Sequence, residues 1–543
     1  MAMKATLLVA AASAASALVS APWSDSFGQF PLGFGTPSSS SAEYKCDLST
    51  VLDPSKDGLP TSSEAFASKK AFLKQVERHQ AIVRIPSICY DDLGDADKDP
   101  RWAPFWDLHD VLEETYPLVY VSSILVTHIS GRQERRKLTA RRHKHAKLEK
   151  INTLGLLYTL QGSDKSLKPV MLAAHQDVVP VADASTWTYP PFSAHFDGEW
   201  LWGRGSGDDK DSMTALMSAL ESLLASGWTP RRTVLLAFGF DEECSGYRGA
   251  ATIGEHLTEV YGDNGIAIVL DEGGAGLLPV GDTLYALPAI TEKGHVDIWF
   301  KLQVAGGHSS IPLSHTGIGI MSEIVTLLEA HPYEAKLEKS NPMYGYLKCM
   351  ARYNPEANPD LTKLVDKDDL DGLTKVIGTE MGLIKFLIQT SQAVDWIGGG
   401  QKINALPEVT TLGVNYRVSQ HNSIPEVQHN VIKYIDEVIQ KYNLTVNAFE
   451  GDERFEDYLA EHDSERLLAI DPFAEDDYRG KLTLEASEAS DPPPIAPITG
   501  DVWDIFSGSI QHTFATDGGK VVTTGMLMTG NTDTRHYLSK FSP

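Results

Sequence analysis

The chain has 543 residues, which is too long for one hydrophobic core and predicts two domains. Hydrophobic residues make up 42% of the chain and charged residues 22%, which is typical of a folded globular protein. The formal net charge of −26 at pH 7 argues against nucleic-acid binding, which favours a basic surface.

Residues 1–21 have the pattern of a secretory signal peptide, in which Lys4 precedes an alanine-rich apolar run and a small-residue cleavage site. An uncleaved anchor, the one route to a membrane, is the alternative. Residues 22–62 are predicted to be a leader. The four cysteines form no C-x-x-C pair, so we expect no metal bound by sulfur. Disulfides are permitted but their pairing is open, and Cys244 is interpreted as a buried small residue.

Helical periodicity extends from Ser63 to Val83 and again from Trp102 to Tyr116. A basic segment follows at about 125–146, where Arg and Lys greatly outnumber acidic residues. It is interpreted as a basic interaction arm, as a solvated insertion or, our preferred hypothesis, as residues foreign to the fold such as a translated intron. Without it, a strand-like pattern would continue from Ile124 into Lys147.

Between residues 152 and 275 the pattern alternates strands and helices, which predicts an α/β fold with a mixed, mostly parallel central sheet. Three short apolar runs in this region end abruptly in acidic residues or histidine; the polar ends are His175-Gln176-Asp177, Asp241-Glu242-Glu243 and Asp271-Glu272. Because ligands gather outside the carboxyl ends of parallel strands, we expect these side chains to meet at one edge of the sheet. Buried charges are costly unless they are paired or bound to metal, so the pattern predicts a metal site.

The residue spacings add detail to this site. His175 and Asp177 are two apart on a strand and point the same way, so the carboxylate can orient the imidazole. Asp208 begins a predicted helix and could bridge two cations, while the adjacent Glu242 and Glu243 diverge. One of the two glutamates can therefore bind metal while the other acts as a general base.

A second unit is predicted within 293–450 from a β-α-β-α-β order, which indicates a small α+β domain inserted into the larger one. Its elements are Val296–Val304, Ile318–Leu328, Val409–Val418, Val427–Ile439 and Leu444–Phe449. Residues 451–495 are acidic and proline-rich, and we predict that they lie on the surface. A further strand is expected from Val521 to Met528. The larger domain is thus assigned to 63–292 and 451–543.

Several motifs together resemble the di-zinc metallopeptidases of the aminoacylase/carboxypeptidase type, and carboxypeptidase S-like members in particular. The motifs are Ala174-His175-Gln176-Asp177-Val178-Val179-Pro180, Gly203-Arg204-Gly205-Ser206-Gly207-Asp208-Asp209-Lys210, Asp241-Glu242-Glu243, Leu270-Asp271-Glu272-Gly273-Gly274, Gly306-Gly307-His308-Ser309 and Gly530-Asn531-Thr532-Asp533-Thr534-Arg535. The resemblance covers roughly residues 63–122 and 147–540. It implies a zinc-peptidase-like catalytic domain interrupted by a ferredoxin-like lid or dimerisation domain.

The resemblance also implies a ligand set for two zinc ions per subunit. His175 would bind one zinc, Asp208 would bridge both and Glu243 would bind the second. Glu272 would complete the first zinc's shell, with Asp271 as the alternative. Zinc is inferred from the mixture of imidazole and carboxylates, which would also suit cobalt or manganese.

By the same resemblance, Glu242 would be the general base and Asp177 the carboxylate that steers His175. His308 would close over the site, often from a partner subunit, which implies a homodimer through the lid. Arg417 would bind the free carboxylate of a peptide substrate, near Asn404, because a guanidinium suits that bidentate contact.

The implied function is a Gly-X carboxypeptidase, vacuolar or secreted, that acts on short peptides with a free C-terminus. An N-acyl-amino-acid hydrolase is the enzymatic alternative. The family's last zinc-binding histidine lies in a His-x-x-Asn/Asp-Glu motif that this chain does not contain before Pro543. We therefore expect an incomplete second zinc site, with His536 as the less favoured substitute ligand, and a truncated second part of the catalytic domain. A degenerate, non-catalytic copy is the alternative from another class.

Overall fold

The computed structural model describes residues 46–120, 146–462, 480–515, 519–538 and 540–541. The helices are α1 Ser62–Phe66, α2 Lys69–Val83, α3 Ala103–Thr115, α4 Lys210–Ala225, α5 Ala250–Tyr261, α6 Gly317–Ala330, α7 Pro342–Tyr353, α8 Pro359–Asp366, α9 Leu370–Glu380, α10 Ile424–Lys441, α11 Glu453–His462 and α12 Asp501–Phe514. The strands are β1 Lys147–Ile151, β2 Gly155–Leu160, β3 Val170–His175, β4 His195–Phe196, β5 Leu201–Trp202, β6 Val234–Gly239, β7 Ile268–Leu270, β8 Gly274–Val280, β9 Thr283–Glu292, β10 Gly294–Gln303, β11 Gly307–His308, β12 Ser391–Gly399, β13 Ala405–Leu406, β14 Val409–Val418, β15 Thr445–Ala448, β16 Lys481–Ser490, β17 Lys520–Thr523 and β18 Met526–Met528.

The first sheet has the strand order β1-β2-β6-β3-β7. Strand β3 pairs in parallel with both β6 and β7, whereas β1 and β2 add antiparallel strands at the other edge. The predicted α/β class with a mixed sheet is confirmed. The three apolar runs that end in charged residues become the three neighbouring parallel strands, so their carboxyl ends share one edge.

Helix α4 covers one face of this sheet with an apolar stripe. Met213, Met217 and Leu220 are buried against Leu236 and Phe238 of β6. Spacings of three and four residues place these side chains on one side of the helix, which explains why the segment folds as a helix against the sheet. Because α4 begins at Lys210, its packing also fixes the loop that carries Asp208.

The second sheet has five strands in the order β12-β14-β10-β16-β15, with α6 and α10 packed on one face. The predicted strands and helices of the smaller α+β unit are present here. Residues 451–495 were expected on the surface, and most of those described are exposed or partly buried, but Lys481–Ser490 also forms an unpredicted strand between β10 and β15. Only Leu482 and Leu484 of this strand are buried, so its sequence carries a weak strand signal.

A third group of strands joins segments that are distant in sequence. Strand β9 pairs with β8, β17 and β18, and the predicted single strand from Val521 to Met528 is two strands. Helices α7 to α9, which lie within the range predicted as lid, pack against β9, β17 and β18 through residues such as Leu347, Leu373 and Ile377. These helices therefore share a core with strands of the larger unit; the domain division itself stays a prediction.

Two disulfides, Cys46–Cys349 and Cys89–Cys244, use all four cysteines. The interpretation of Cys244 as a buried small residue was therefore wrong. The proposed signal peptide at 1–21 and nearly all of the basic segment at 125–146 lie outside the described residues. Within the ranges the structure covers, every helix is too short or too polar to cross a bilayer.

Candidate metal centre and active site

The site lies at the carboxyl edge of the first sheet. Strand β3 ends at His175, which is in register with Gly239 at the end of β6. A short 3-10 turn, Glu242–Cys244, follows β6, and Asp271 and Glu272 follow β7. The parallel strand order therefore brings together side chains that lie about a hundred residues apart in sequence.

Two overlapping groups of side chains at this edge have the composition of a metal site. In one group, ligand atoms of His175, Glu242 and Glu272 all lie within 4.8 Å of one another; in the other, those of His175, Asp208 and Glu243 do so. His175 Nε2 is 3.0 Å from Asp208 Oδ1 and 3.6 Å from Glu272 Oε1. One imidazole is thus shared by carboxylates from three separate segments.

The surrounding negative charge determines the protonation of His175. Burial alone would lower the pKa of this imidazole, but the charges of Glu272, Asp177 and Asp208 outweigh burial and raise the pKa well above its usual value. Without another cation, the histidine would therefore carry the positive charge that balances part of the cluster.

The glutamates show the complementary effect. Burial raises the pKa of Glu243 to about 7, and the charges of Asp208 and Asp177 act in the same direction. Burial also raises the pKa values of Glu242 and Glu272 well above their usual range, reinforced by neighbouring carboxylates and opposed by His175. Carboxylates held this close repel one another, and either protons or cations can relieve the repulsion.

Asp177 links the histidine to the glutamate turn. Its carboxylate accepts hydrogen bonds from the backbone N–H of Glu242 at 3.1 Å and of Glu243 at 3.0 Å. Asp177 Oδ1 also lies 3.2 Å from His175 Nδ1, so the other ring nitrogen, Nε2, faces Asp208. This geometry suits a carboxylate that orients a metal-binding imidazole.

The chemistry of these donors fits a metal pair. Zinc is bound by imidazole nitrogen and carboxylate oxygen, and a carboxylate between two sites can bridge two ions. His175, Asp208, Glu242, Glu243 and Glu272 supply these atoms in a cluster where His175 is buried and the carboxylates are partly buried, so uncompensated negative charge is costly. Neither group contains a second histidine, so oxygen donors dominate both among the described residues.

Four other residues named from the sequence lie apart from these two groups. Asp271 Oδ2 accepts a hydrogen bond from Thr534 Oγ1 at 3.2 Å. Because this oxygen already has a partner, Glu272 is favoured as the metal ligand. His536 Nε2 is 2.8 Å from the Ser245 carbonyl oxygen. His308 is exposed on β11, which pairs with β13, and its Nδ1 lies 2.7 Å from Ser310 Oγ. Asn404 is exposed directly before β13.

Arg417 lies close enough to the carboxylates to interact with them through charge. Burial lowers the pKa of its guanidinium, while the charges of Asp297 and Glu242 oppose that shift. Arg417 Nη1 donates to Asn531 Oδ1 at 2.8 Å, and Asn531 Nδ2 donates to the Lys293 carbonyl oxygen at 2.7 Å. The Gly-Asn-Thr-Asp segment thus positions the arginine.

Asp533 and Lys210 are two buried charged residues near the site for which the sequence predicted no role. Asp533 is buried, its Oδ1 has no hydrogen-bond partner among the described residues, and burial raises its pKa well above its usual range. A Cβ atom at Gly246 would lie 2.3 Å from this oxygen, so only glycine fits there. Lys210 Nζ donates to the carbonyl oxygens of Ile82 and Ile85, at the carboxyl end of α2. The available signals were the motifs Gly203–Lys210 and Gly530–Arg535, which contain these two residues.

Comparison with known proteins decides the family. Residues 171–543 match the description of peptidase family M20/M25/M40, which covers more than half of the chain. The chain belongs to this family. Within it, the chain is 38% identical over 512 residues to carboxypeptidase S of Saccharomyces cerevisiae, covering 91% of this chain and 80% of that protein. The protein is therefore a carboxypeptidase S-like M20 enzyme.

Two further comparisons describe its relatives. An N-fatty-acyl-amino acid synthase/hydrolase of Mus musculus is 34% identical over 274 residues, covering 50% of this chain and 53% of that protein. An M20 family metallo-carboxypeptidase from Sulfolobus solfataricus has a TM-score of 0.51 at 16% identity, covering 86% of this chain and 89% of that one. This structural similarity supports the assignment of an M20 peptidase fold to this chain.

Proposed function

We propose that this M20 enzyme is a zinc-dependent carboxypeptidase that releases the last residue from short peptides of the Gly-X type. The observation that carries the proposal is the convergence of His175 and four carboxylates with Arg417 nearby. The carboxylate groups supply a place for two cations, and the arginine supplies a counter-charge for a free C-terminus. Its similarity to carboxypeptidase S supports the same function.

In the proposed site, His175 and Glu272 would hold one zinc ion, Glu243 would hold the other, and Asp208 would be a ligand shared by both. When bound, zinc would supply Lewis-acid chemistry, which acidifies a water molecule and polarises the carbonyl of the scissile amide. Asp177 keeps His175 oriented through its Nδ1, so that Nε2 remains directed at Asp208. The protein's part in this step is to hold the donors rigidly.

Glu242 is the proposed general base. It is adjacent to the metal-binding Glu243, yet its carboxylate belongs to the group with His175 and Glu272, so the two glutamates point to different partners. Glu242 accepts a proton from the attacking water and delivers it to the amine that leaves when the C–N bond breaks. Burial raises the pKa of Glu242, which favours proton uptake near neutral pH.

Arg417 is the proposed contact for the substrate's terminal carboxylate. Asn531 holds one end of its guanidinium, which leaves the remaining N–H groups to donate to a carboxylate. Asn404 is proposed to contact the same peptide from the lid. A substrate without a free carboxylate would leave this buried cation unpaired, which explains selection for the end of a peptide.

The test is the release of the C-terminal amino acid from an N-terminally blocked Gly-Leu dipeptide by the purified full chain with added zinc. The proposal predicts turnover of the acid and loss of turnover when the C-terminus is amidated. If neither compound is hydrolysed while an N-fatty-acyl amino acid is, the carboxypeptidase assignment is wrong.

An N-acyl-amino-acid hydrolase is the second candidate. It is favoured by an apolar cavity of about 520 Å³ that is lined by Glu272, Leu270, Ile290, Trp503 and Phe506, among other residues. The similarity to N-fatty-acyl-amino acid hydrolases also supports it. The chemistry would be the same, with a hydrocarbon chain in place of the N-terminal part of the peptide, and the substrate comparison above separates the two.

We further propose that the lid pairs two copies and that His308 acts in the partner's site. The exposure of His308 and of its neighbours Ile311 and Ile403, which are 80% and 99% exposed, supports this role. Mixing His308→Ala with Glu242→Gln protein tests it, because a heterodimer would contain one intact composite site. Recovered activity supports the shared site, and a monomer in light scattering contradicts it.

We also propose passage through the secretory pathway to a vacuolar lumen or the cell exterior. The two disulfides support an oxidising compartment. Fluorescence microscopy of a C-terminal fusion checks this: a cytosolic signal would contradict the proposal.

A further inference from the structure

A short segment, Ser87–Cys89, contacts the chain on the carboxyl side of His175. The Val178 N–H donates to the Ser87 carbonyl oxygen at 2.9 Å, and the Cys89 N–H donates to the Val178 carbonyl oxygen at 3.1 Å. Ser87 Oγ adds a hydrogen bond to the Gln176 carbonyl oxygen at 2.7 Å. Three hydrogen bonds thus hold residues 176–178, in the middle of which lies Asp177.

The same segment is bonded covalently to the glutamate turn. The Cys89–Cys244 disulfide joins it to the residue directly after Glu243. Cys89 itself is 1% exposed and packs in a cluster with Trp102 and Phe240, so this end of the disulfide is fixed in a core. Residues 87–89 therefore connect both site-bearing segments.

A closed ring of contacts results. Asp177 accepts hydrogen bonds from the N–H groups of Glu242 and Glu243. The disulfide links Cys244 to Cys89, and the Cys89 N–H donates a hydrogen bond to the carbonyl oxygen of Val178, the residue after Asp177. The mutual repulsion of the carboxylates acts to separate the segments. Each hydrogen bond alone contributes only modestly, whereas the disulfide is a covalent link that charge repulsion does not open.

We propose that Ser87–Cys89 is a positioning clamp for the metal centre, with the Cys89–Cys244 disulfide holding the Glu242–Glu243 turn at the distance from His175 that the metals require. The inference rests on the proposed function for its catalytic consequence. Cys89 and Cys244 are positioning residues that act through the glutamates and contact no substrate. Partners that orient metal ligands in this way contribute about 10- to 100-fold to metal affinity or activity.

The second disulfide provides a matched control. Cys46–Cys349 also links distant parts of the chain, with a sequence separation of 303, but it packs in the core of β9 and α7. The test compares Cys89→Ala/Cys244→Ala with Cys46→Ala/Cys349→Ala in the full chain. Zinc affinity is measured by competition with a chromogenic chelator. The kinetic constants kcat and KM are measured with the blocked dipeptide, and Tm is measured by scanning calorimetry.

The clamp predicts that zinc affinity and kcat fall about 10- to 100-fold in Cys89→Ala/Cys244→Ala, with KM nearly unchanged. The control variant should have a lower Tm than wild type but the same zinc affinity and kcat. Unchanged zinc affinity in the first variant, or equal losses in both, would overturn the clamp. If wild type binds zinc but hydrolyses no peptide, the proposed function fails while the zinc comparison still decides the clamp.

A milder variant tests the clamp if Cys89→Ala/Cys244→Ala does not fold. Ser87→Ala removes only the hydrogen bond to Gln176 and leaves the disulfide, and it should weaken zinc binding about 2- to 10-fold. Its control is Ser226→Ala, whose Oγ donates to the Leu223 carbonyl oxygen at the far end of α4, about 24 Å along the helix from Lys210. Equal zinc affinities for the two serine variants would overturn the clamp.

Discussion

Glu242→Gln separates the two roles that the geometry allows for Glu242. Its ligand atom lies within 4.8 Å of those of His175 and Glu272, so it could hold metal as well as accept a proton. Glutamine keeps the size of the side chain, and the turn stays attached through the Glu242 N–H to Asp177. The substitution therefore removes the basic oxygen with little change in shape.

The expected effect is a fall in kcat of about 10²- to 10⁴-fold, or about 3 to 5 kcal/mol of transition-state free energy, which is the usual contribution of a positioned general base. Zinc content and KM should stay near their wild-type values because His175, Asp208, Glu243 and Glu272 remain. Glu243→Gln is the matched variant, and it should lose zinc as well as activity.

The assay combines single-substrate kinetics on the blocked dipeptide with zinc analysis of each dialysed protein. Loss of bound zinc from Glu242→Gln with retention by Glu243→Gln would reverse the two assignments. A Glu242→Gln enzyme with full kcat would refute general-base catalysis by this residue altogether.

Three further predictions address the site and the core. Burial raises the pKa of Glu243 to about 7, so its proton must leave before zinc binds. The affinity for zinc, measured by chelator competition, should therefore rise about ten-fold or more from pH 6 to pH 8, and equal affinities at both pH values would contradict this. Arg417→Lys should reduce kcat/KM for the free acid about 10- to 100-fold through loss of the bidentate contact, with zinc content unchanged, and an unaltered kcat/KM would remove the arginine from substrate binding. Met213→Ala, at a fully buried position of α4, should cost about 2 to 5 kcal/mol of stability and lower Tm more than Leu223→Ala, which is half-buried; a smaller drop for Met213→Ala would contradict the packing.

The catalytic edge could be predicted because its signals are local and strong. Apolar runs that end in His175, Asp241 and Asp271 indicate strand ends directly, and the parallel order of such strands follows from the βα alternation. The proximity of His175 to Glu243 and Glu272 followed from the order of the strands, whereas the place of Asp208 beside them was implied by the family resemblance.

Other features depend on partners that the local sequence does not reveal. Lys481–Ser490 alternates only two leucines among polar residues, and its place as a central strand arises from pairing with β10 and β15. Disulfide pairing across 155 and 303 residues leaves no local pattern. Asp533 joins the site from near the end of the chain only because Gly239 and Gly246 leave space for its carboxylate.

Anomalous diffraction at the zinc edge from crystals of the zinc-loaded chain tests the central claim most directly. The account predicts two peaks about 3.5 Å apart, one beside His175 and Glu272 and one beside Glu243, with Asp208 between them. A peak remote from these residues, a single peak, or none at all after saturation with zinc would contradict it.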